Sequence, residues 1–251
     1  MSLIVEWRGT NNSIGDADIL FIALPGVGNI GKTCLETLNE LNECIEIARL
    51  HHTALPPLAT LDDDGLLSPP HFSLKKVISK TGKKIVTISG TSQPLEPQNQ
   101  GSMAREIMEF IKQESIELSV VLAGMVDEPS RKETFIVPSS AKFRIELEER
   151  GVNVRRDEPS SGAIGMAALL ASLGPVYGIN TACAIATSVG ASGDSHAAVR
   201  LLSSINDWFS LEIELPKDTQ KNIIDKLADI APNNKQNYVA EMTQSHDGFY
   251  L

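Results

Sequence analysis

The chain has 251 residues, 42% of them hydrophobic, and a net charge of −10. That supports one large core, or a core with an appendage, and it argues against nucleic acid as a partner because nothing concentrates positive charge. Cys34, Cys44 and Cys183 are odd in number and far apart, so neither a disulfide framework nor a metal-ligand spacing follows, and no signal pattern or apolar run of membrane length is present. The composition predicts a soluble cytoplasmic protein without membrane contact.

In chain order, the short apolar run at 3–5 predicts an edge strand. The run at 19–24 is apolar on both faces and predicts a central strand covered by helices on both sides. A helix follows over about 29–43 and a strand over about 45–51. Periodicity lapses between 53 and 73, where Pro56-Pro57, Asp62-Asp63-Asp64-Gly65 and Pro69-Pro70 are turn chemistry. The runs at 58–61 and 66–74 predict a β-hairpin laid along the sheet edge, its three aspartates at the tip.

The strand at 84–89 leads into a rigid polar loop, Gly90 to Pro97, at the strand end where open α/β sheets bind ligands. A helix over about 100–114 buries Met103, Ile107, Phe110 and Ile111 on one face. Strands follow at 118–125 and 134–137. Ser139-Ser140 caps a helix that runs to Arg150 and is stopped by Gly151. A short strand at 152–154, a small-residue helix at 166–173 and a strand at 181–187 come next. Asp194 then caps a helix over about 195–209. Alternating β and α units predict a mostly parallel sheet in a three-layer α/β sandwich. Residues 1–213 form the core domain in this reading. Residues 214–251 form an appendage, with an amphipathic helix at 217–230 and a polar run at 232–248.

The most informative stretch is Pro25-Gly26-Val27-Gly28-Asn29-Ile30-Gly31-Lys32-Thr33, between a buried strand and a helix. Gly26, Gly28 and Gly31 fit the dinucleotide fingerprint, and Gly26 to Thr33 fits the P-loop. The first motif wants an acidic residue about 20 positions on, where only Glu46 comes near. The second wants a magnesium-holding Asp after a later strand, for which Asp127 is the one candidate. The plain structural alternative is a tight turn whose glycines let helix and sheet approach. Other catalytic signatures are missing. Gly190-Ala191-Ser192-Gly193 lacks the spacing of a hydrolase elbow, and His51, His52, His71, His196 and His246 form no H-x-x-x-H pair for zinc. No metal, cofactor or catalytic residue is expected, and the balance leans away from an enzyme.

Residues 25–32, PGVGNIGK, resemble the signature of the prokaryotic branch of the proteasome assembly chaperone two family, which sometimes carries an ATP-grasp-like label. Leu55-Pro56-Pro57 is similar to the loop after the family's second strand. Gly90-Thr91-Ser92-Gln93-Pro94 resembles its GDSQP loop, with Thr91 for aspartate. Gly162-Ala163-Ile164-Gly165 resembles its GANG loop, with Ile164 for asparagine. The similarity covers about residues 19–210. It implies a phosphorylase/hydrolase-like α/β sandwich and a proteasome-related role, with no shared catalytic residue to carry over.

The sequence ends Phe249-Tyr250-Leu251, the hydrophobic–Tyr–any residue pattern of proteasome activators and several assembly chaperones. Such a terminus suits capture of a carboxylate in a basic pocket beside an aromatic anchor. The polar run before it supplies reach at ~3.3 Å per residue, and several tails on one ring would add avidity. The expected partners are the 20S proteasome α-ring and further copies of the chain in a homo-oligomeric ring. The competing expectation is a small-molecule or nucleotide-binding enzyme using Gly26, Gly28, Asn29, Gly31, Lys32, Ser92 and Gln93. A third is a structural oligomer whose tail packs on its neighbour.

Overall fold

The structure is a computed structural model that describes residues 2–61, 65–78, 82–160, 162–190 and 193–214. The expected helix at 217–230 and the terminal Phe249, Tyr250 and Leu251 lie outside the described residues.

Strand β2 (Ile19–Ala23) has all five residues buried, which only a sheet covered on both faces allows. It pairs in parallel with β7 (Lys84–Gly90) on one side and β8 (Leu118–Val126) on the other. β8 pairs in parallel with β10 (Asn180–Ser188). These four strands form the parallel centre. Antiparallel strands extend it on both sides: β6 (Phe72–Ile78), β3 (Glu43–His52) and β1 (Leu3–Trp7) beyond β7, and β9 (Thr134–Pro138) beyond β10. The sheet is therefore mixed, in the order β1-β3-β6-β7-β2-β8-β10-β9. The α/β sandwich expected from alternating units is present, and β1 lies at the edge as the sequence predicted.

The hairpin expected over 58–74 takes another form. Strands β4 (Thr60–Leu61) and β5 (Leu67–Ser68) make a separate two-stranded unit, while β6 sits inside the main sheet between β3 and β7. Burial explains this placement. Phe72 and Leu74 are fully buried on one face of β6, and a Cβ on Gly90 of β7 would stand 2.2 Å from the Phe72 ring. That side of β6 belongs in the core, not on an exposed edge.

One face of the sheet carries α1 (Ile30–Glu40), α3 (Ala141–Glu149) and α6 (Ser195–Phe209), whose Leu35, Leu38, Phe143, Leu147, Leu201 and Ile205 pack on the sheet. The other face carries α2 (Pro97–Gln113), α4 (Met166–Ser172) and the short α5 (Gly174–Tyr177), with Met103, Ile107, Ile111 and Leu170 inward. Helix α1 stops at Glu40, three residues before its expected end, because β3 begins at Glu43. Helix α2 starts early, at Pro97, whose fixed φ suits the first helical position. The Ser140 hydroxyl accepts from the Phe143 N–H, and the Asp194 carboxylate accepts from the Ala197 N–H at 2.9 Å; both are the expected caps.

Helix α1 lies unusually close to β8. A Cβ added to Gly31 would fall 2.0 Å from the Leu122 carbonyl oxygen. Facing it, a Cβ on Gly124 would fall 2.6 Å from the Val27 carbonyl oxygen and from Ile30 Cδ1. Backbone meets backbone here, so no rotamer change relieves an added methyl. Gly31→Ala is expected to lower stability by about 1–3 kcal/mol or more, read as a shifted urea midpoint. Gly26→Ala, at an extended φ of −170° with no contact closer than 3.9 Å, should change it by no more than ~0.5 kcal/mol.

A second stability feature lies at the end of β3. The His52 side chain is 2% exposed, and its Nδ1 accepts from the Ala54 N–H at 3.0 Å. The proton therefore sits on Nε2, which is buried without a hydrogen-bond partner, 3.8 Å from Glu106 Oε1. Burial pushes the imidazole below its ordinary 6.5, against the pull of Glu106. The unfolded chain thus takes up a proton near pH 6.5 that the folded one refuses. Stability from this group is full above that pH and declines as pH falls through 6.5 towards the folded value. Urea midpoints measured from about pH 8 to about pH 5 should show this decline, and His52→Asn should flatten it.

Candidate functional site

The glycine-rich turn leaves β2 and enters α1 through one 3-10 turn, Val27–Asn29. Gly28 (φ 58°) and Asn29 (φ 52°) are left-handed, a conformation that favours glycine and tolerates asparagine. The Asn29 N–H donates to the Gly26 carbonyl at 2.9 Å, and the Gly28 carbonyl accepts from the Asp194 N–H at 3.2 Å. These backbone groups are engaged within the protein. Gly31 lies under β8, so its missing side chain serves packing.

Strand β2 sends the chain to one face of the sheet through α1, and β7 sends it to the other through α2. The crevice between the carboxyl ends of two such strands is where open α/β sheets place ligands. Here Gln93 bridges it, its Nε2 donating to the Pro25 carbonyl at 3.0 Å. Gln100 of α2 donates to the Pro94 carbonyl at 2.8 Å, and Gly165 stands beside the Gln100 side chain. The turn, the Ser92-Gln93-Pro94 loop and the Gly162–Gly165 loop, distant in sequence, thus meet along one crest of the sheet.

The β10–α6 loop completes that crest. The Ser188 hydroxyl donates to Asp194 at 2.6 Å. Burial opposes ionisation of the Asp194 carboxyl, but the Ser188 hydroxyl, the Ala197 N–H and the nearby Arg200 outweigh it and hold the pKa below the usual carboxylate value. A group the sequence reading missed ties the loop between β8 and β9 to the segment at Arg155 and Glu158. Arg131 binds Asp127 at 2.8 Å, Glu133 at 2.9 Å and Glu158 at 2.6 Å, and Arg155 shares Glu133 at 2.8 Å. Both guanidinium groups stand 5.7–6.0 Å from the centre of the Phe135 ring. Asp127, the magnesium candidate of the P-loop reading, is thus ion-paired.

Lys32 points away from the crest. Its ammonium is 3.5 Å from Glu36, one turn along α1. It lines a cleft of about 300 Å³ on the α1 face, with Ser89, Gly90 and Thr91 at the end of β7. Of the seven candidate ligand residues, Gly26, Gly28, Asn29 and Gln93 therefore meet at the turn. Gly31 is packed under the sheet. Lys32 belongs to the cleft, and Ser92 is half-buried on the loop between the two places. Among the described residues no group of three or more His, Cys, Asp and Glu is placed to hold a metal ion, and no helix is long and apolar enough to cross a membrane. His51 pairs with Glu6 at 2.8 Å and its ring meets that of His71 at a tilt, and burial raises the Cys34 and Cys183 thiols.

Fold and crest together define an open-sheet α/β protein with its sequence motifs gathered at the carboxyl ends of the parallel strands. The chain belongs to the PAC2 family, whose model matches residues 20–223. It is 23% identical over 199 residues to an uncharacterized protein of Methanocaldococcus jannaschii, covering 78% of this chain and 76% of the relative. Among solved structures it is similar to Pyrococcus furiosus PbaB, described as an archaeal proteasome activator. The identity is 17%, the TM-score 0.76, and the match covers 96% of this chain and 99% of PbaB. It is also similar to P. furiosus PbaA, described as an archaeal homolog of proteasome-assembly chaperone. There the identity is 19%, the TM-score 0.72, and the coverage 91% and 93%.

The anchoring role of Arg131 has a measurable consequence. Arg131→Ala leaves Glu158 and Asp127 without their cation and should speed amide hydrogen exchange at 155–160 by about tenfold, while β2 and β8 stay protected.

Proposed function

We propose that this chain is a non-enzymatic proteasome assembly chaperone or activator-like factor. In this reading it docks on the α-ring of the 20S proteasome through Phe249, Tyr250 and Leu251. The observation that carries the proposal is a PAC2 family chain that carries the hydrophobic–Tyr–any residue motif Phe249-Tyr250-Leu251. A carboxylate with an adjacent aromatic anchor suits a basic pocket between subunits. One three-residue contact is weak, so the reading includes a homo-oligomeric ring that engages several pockets at once. A cytoplasmic location and a phosphorylase/hydrolase-like version of the α/β sandwich go with it.

The fold neighbours support this reading by what they are described as, an activator and an assembly-chaperone homolog. An enzyme using the glycine-rich turn for a nucleotide has less behind it. Gly31 is taken up by packing against Leu122, and the Asn29 N–H and the Gly26 and Gly28 carbonyls of the turn have partners in the chain.

Removal of residues 249–251 should abolish co-sedimentation with 20S proteasome, a loss of tenfold or more if several tails act together. Tyr250→Ala should do most of the same damage. Undiminished binding by both variants would remove the docking proposal.

A further inference from the structure

The cleft on the α1 face is built from a departure in the sheet pattern. On this side, β2 and β8 present Ile19, Phe21, Val120 and Leu122 to the helices. One, two and three strands beyond β2, the same face turns polar. β7 presents Thr87 and Ser89, β6 presents Ser73 and Lys75, and β3 presents Glu46 and Arg49. Helix α1 covers only the near part of this shelf, where the Thr87 hydroxyl donates to Asn39 at 3.1 Å. The small β4–β5 unit roofs the far part, tied down by Arg49 donating to the Ser68 hydroxyl at 3.1 Å. Between roof and helix lies the cleft of about 300 Å³, at the lower bound of small-ligand sites.

Charge in the cleft is unevenly matched. Lys32 is held by Glu36. Lys75 lies opposite Glu46 across the β3–β6 ladder, but that carboxylate is taken by Arg49 at 3.0 Å and by the Ser73 hydroxyl. No ion pair holds Lys75 among the described residues. A half-buried lysine without a counter-ion, lining a cleft, suits an anion brought from outside. The rest of the lining suits hydroxyl groups. Ser89, Thr91 and Thr60 donate and accept, and His71, whose Nδ1 donates to the Pro69 carbonyl at 2.7 Å, keeps Nε2 as an acceptor.

We propose that this cleft binds a phosphate carried on a small hydroxylated body, such as a sugar phosphate, with Lys75 as the counter-charge and the Ser89–Thr91 end of β7 facing the hydroxyls. The site is distinct from the glycine-rich turn, and its occupancy does not depend on proteasome docking.

Calorimetric titration of the full chain with ribose 5-phosphate, inorganic phosphate and ribose, at matched ionic strength, tests it. Ribose 5-phosphate should bind saturably and more tightly than phosphate, and ribose should give no heat. Lys75→Met should weaken ribose 5-phosphate at least about tenfold. Ser89→Ala should weaken it by a smaller factor and serves if the first variant does not fold. Lys112→Met, on the opposite face of the sheet, should leave it unchanged. Absence of binding, equal affinity for phosphate and ribose 5-phosphate, or equal losses in Lys75→Met and Lys112→Met would each overturn the assignment. No proteasome enters the measurement, so its failure would leave the docking reading intact.

Discussion

The contact between the start of α1 and the backbone of β8 sets the geometry of everything around it. Helix and sheet normally stand apart by the thickness of two side chains. Here Gly31 and Gly124 remove both, and the first turn of α1 rests on the Leu122 carbonyl while Gly124 lies under Val27 and Ile30. This close seat brings α1 against α6 and draws the Gly28 carbonyl within reach of the Asp194 N–H. The loops after β2 and β10 are thereby locked to one another. Gln93 then adds the loop after β7 through Pro25. A crest assembled from four distant loops depends on one helix standing nearly a side chain too close to its sheet.

Periodicity and turn chemistry carried most of this architecture in the sequence, because the elements concerned have unambiguous faces. β2 is apolar throughout and could only be central. α6 begins at an aspartate cap and ran as expected, over Ser195–Phe209. The stretch from 58 to 74 was less legible for a physical reason. Phe72 and Leu74 alternate with Ser73 and Lys75, a pattern that fits an edge strand with one wet face as well as an inner strand beside a solvent cleft. Local sequence does not tell these apart. What decides is the tertiary fit of Phe72 into the space left by Gly90, a partner eighteen positions away.

The candidate site was legible in part and for a similar reason. Glycine spacing marks a turn where backbone comes close to something, and it is silent on whether that something is a phosphate or a neighbouring strand. Gly31 meets a strand. Lys32, one residue on, points to a different compartment from the glycines that precede it, since adjacent helical positions lie about 100° apart. Gln93 and Pro25 gave no sign of meeting, because a side-chain amide bonded to a carbonyl 68 positions away leaves no local trace. The Arg131 group was missed because ion pairs assembled from a strand, a loop and a later segment have no spacing to read.

The polar shelf on β3, β6 and β7 shows what the tight seat of α1 leaves over. A helix drawn towards β8 and α6 cannot also cover the far side of the same face, so those strands need another covering or a wet surface. The sequence supplies both. Thr87, Ser89, Ser73 and Lys75 tolerate water where Phe21 and Val120 would not, and the short β4–β5 unit partly closes the gap. A cleft at that place is therefore a consequence of the packing on the opposite side of α1. Its polar lining alone would need no ligand, since hydroxyls and carboxylates at a wet surface are satisfied by solvent. Lys75 is different in kind. It is a half-buried residue whose cross-strand carboxylate is already committed to Arg49 and Ser73. That unmatched charge separates a merely hydrated gap from one shaped to receive an anion.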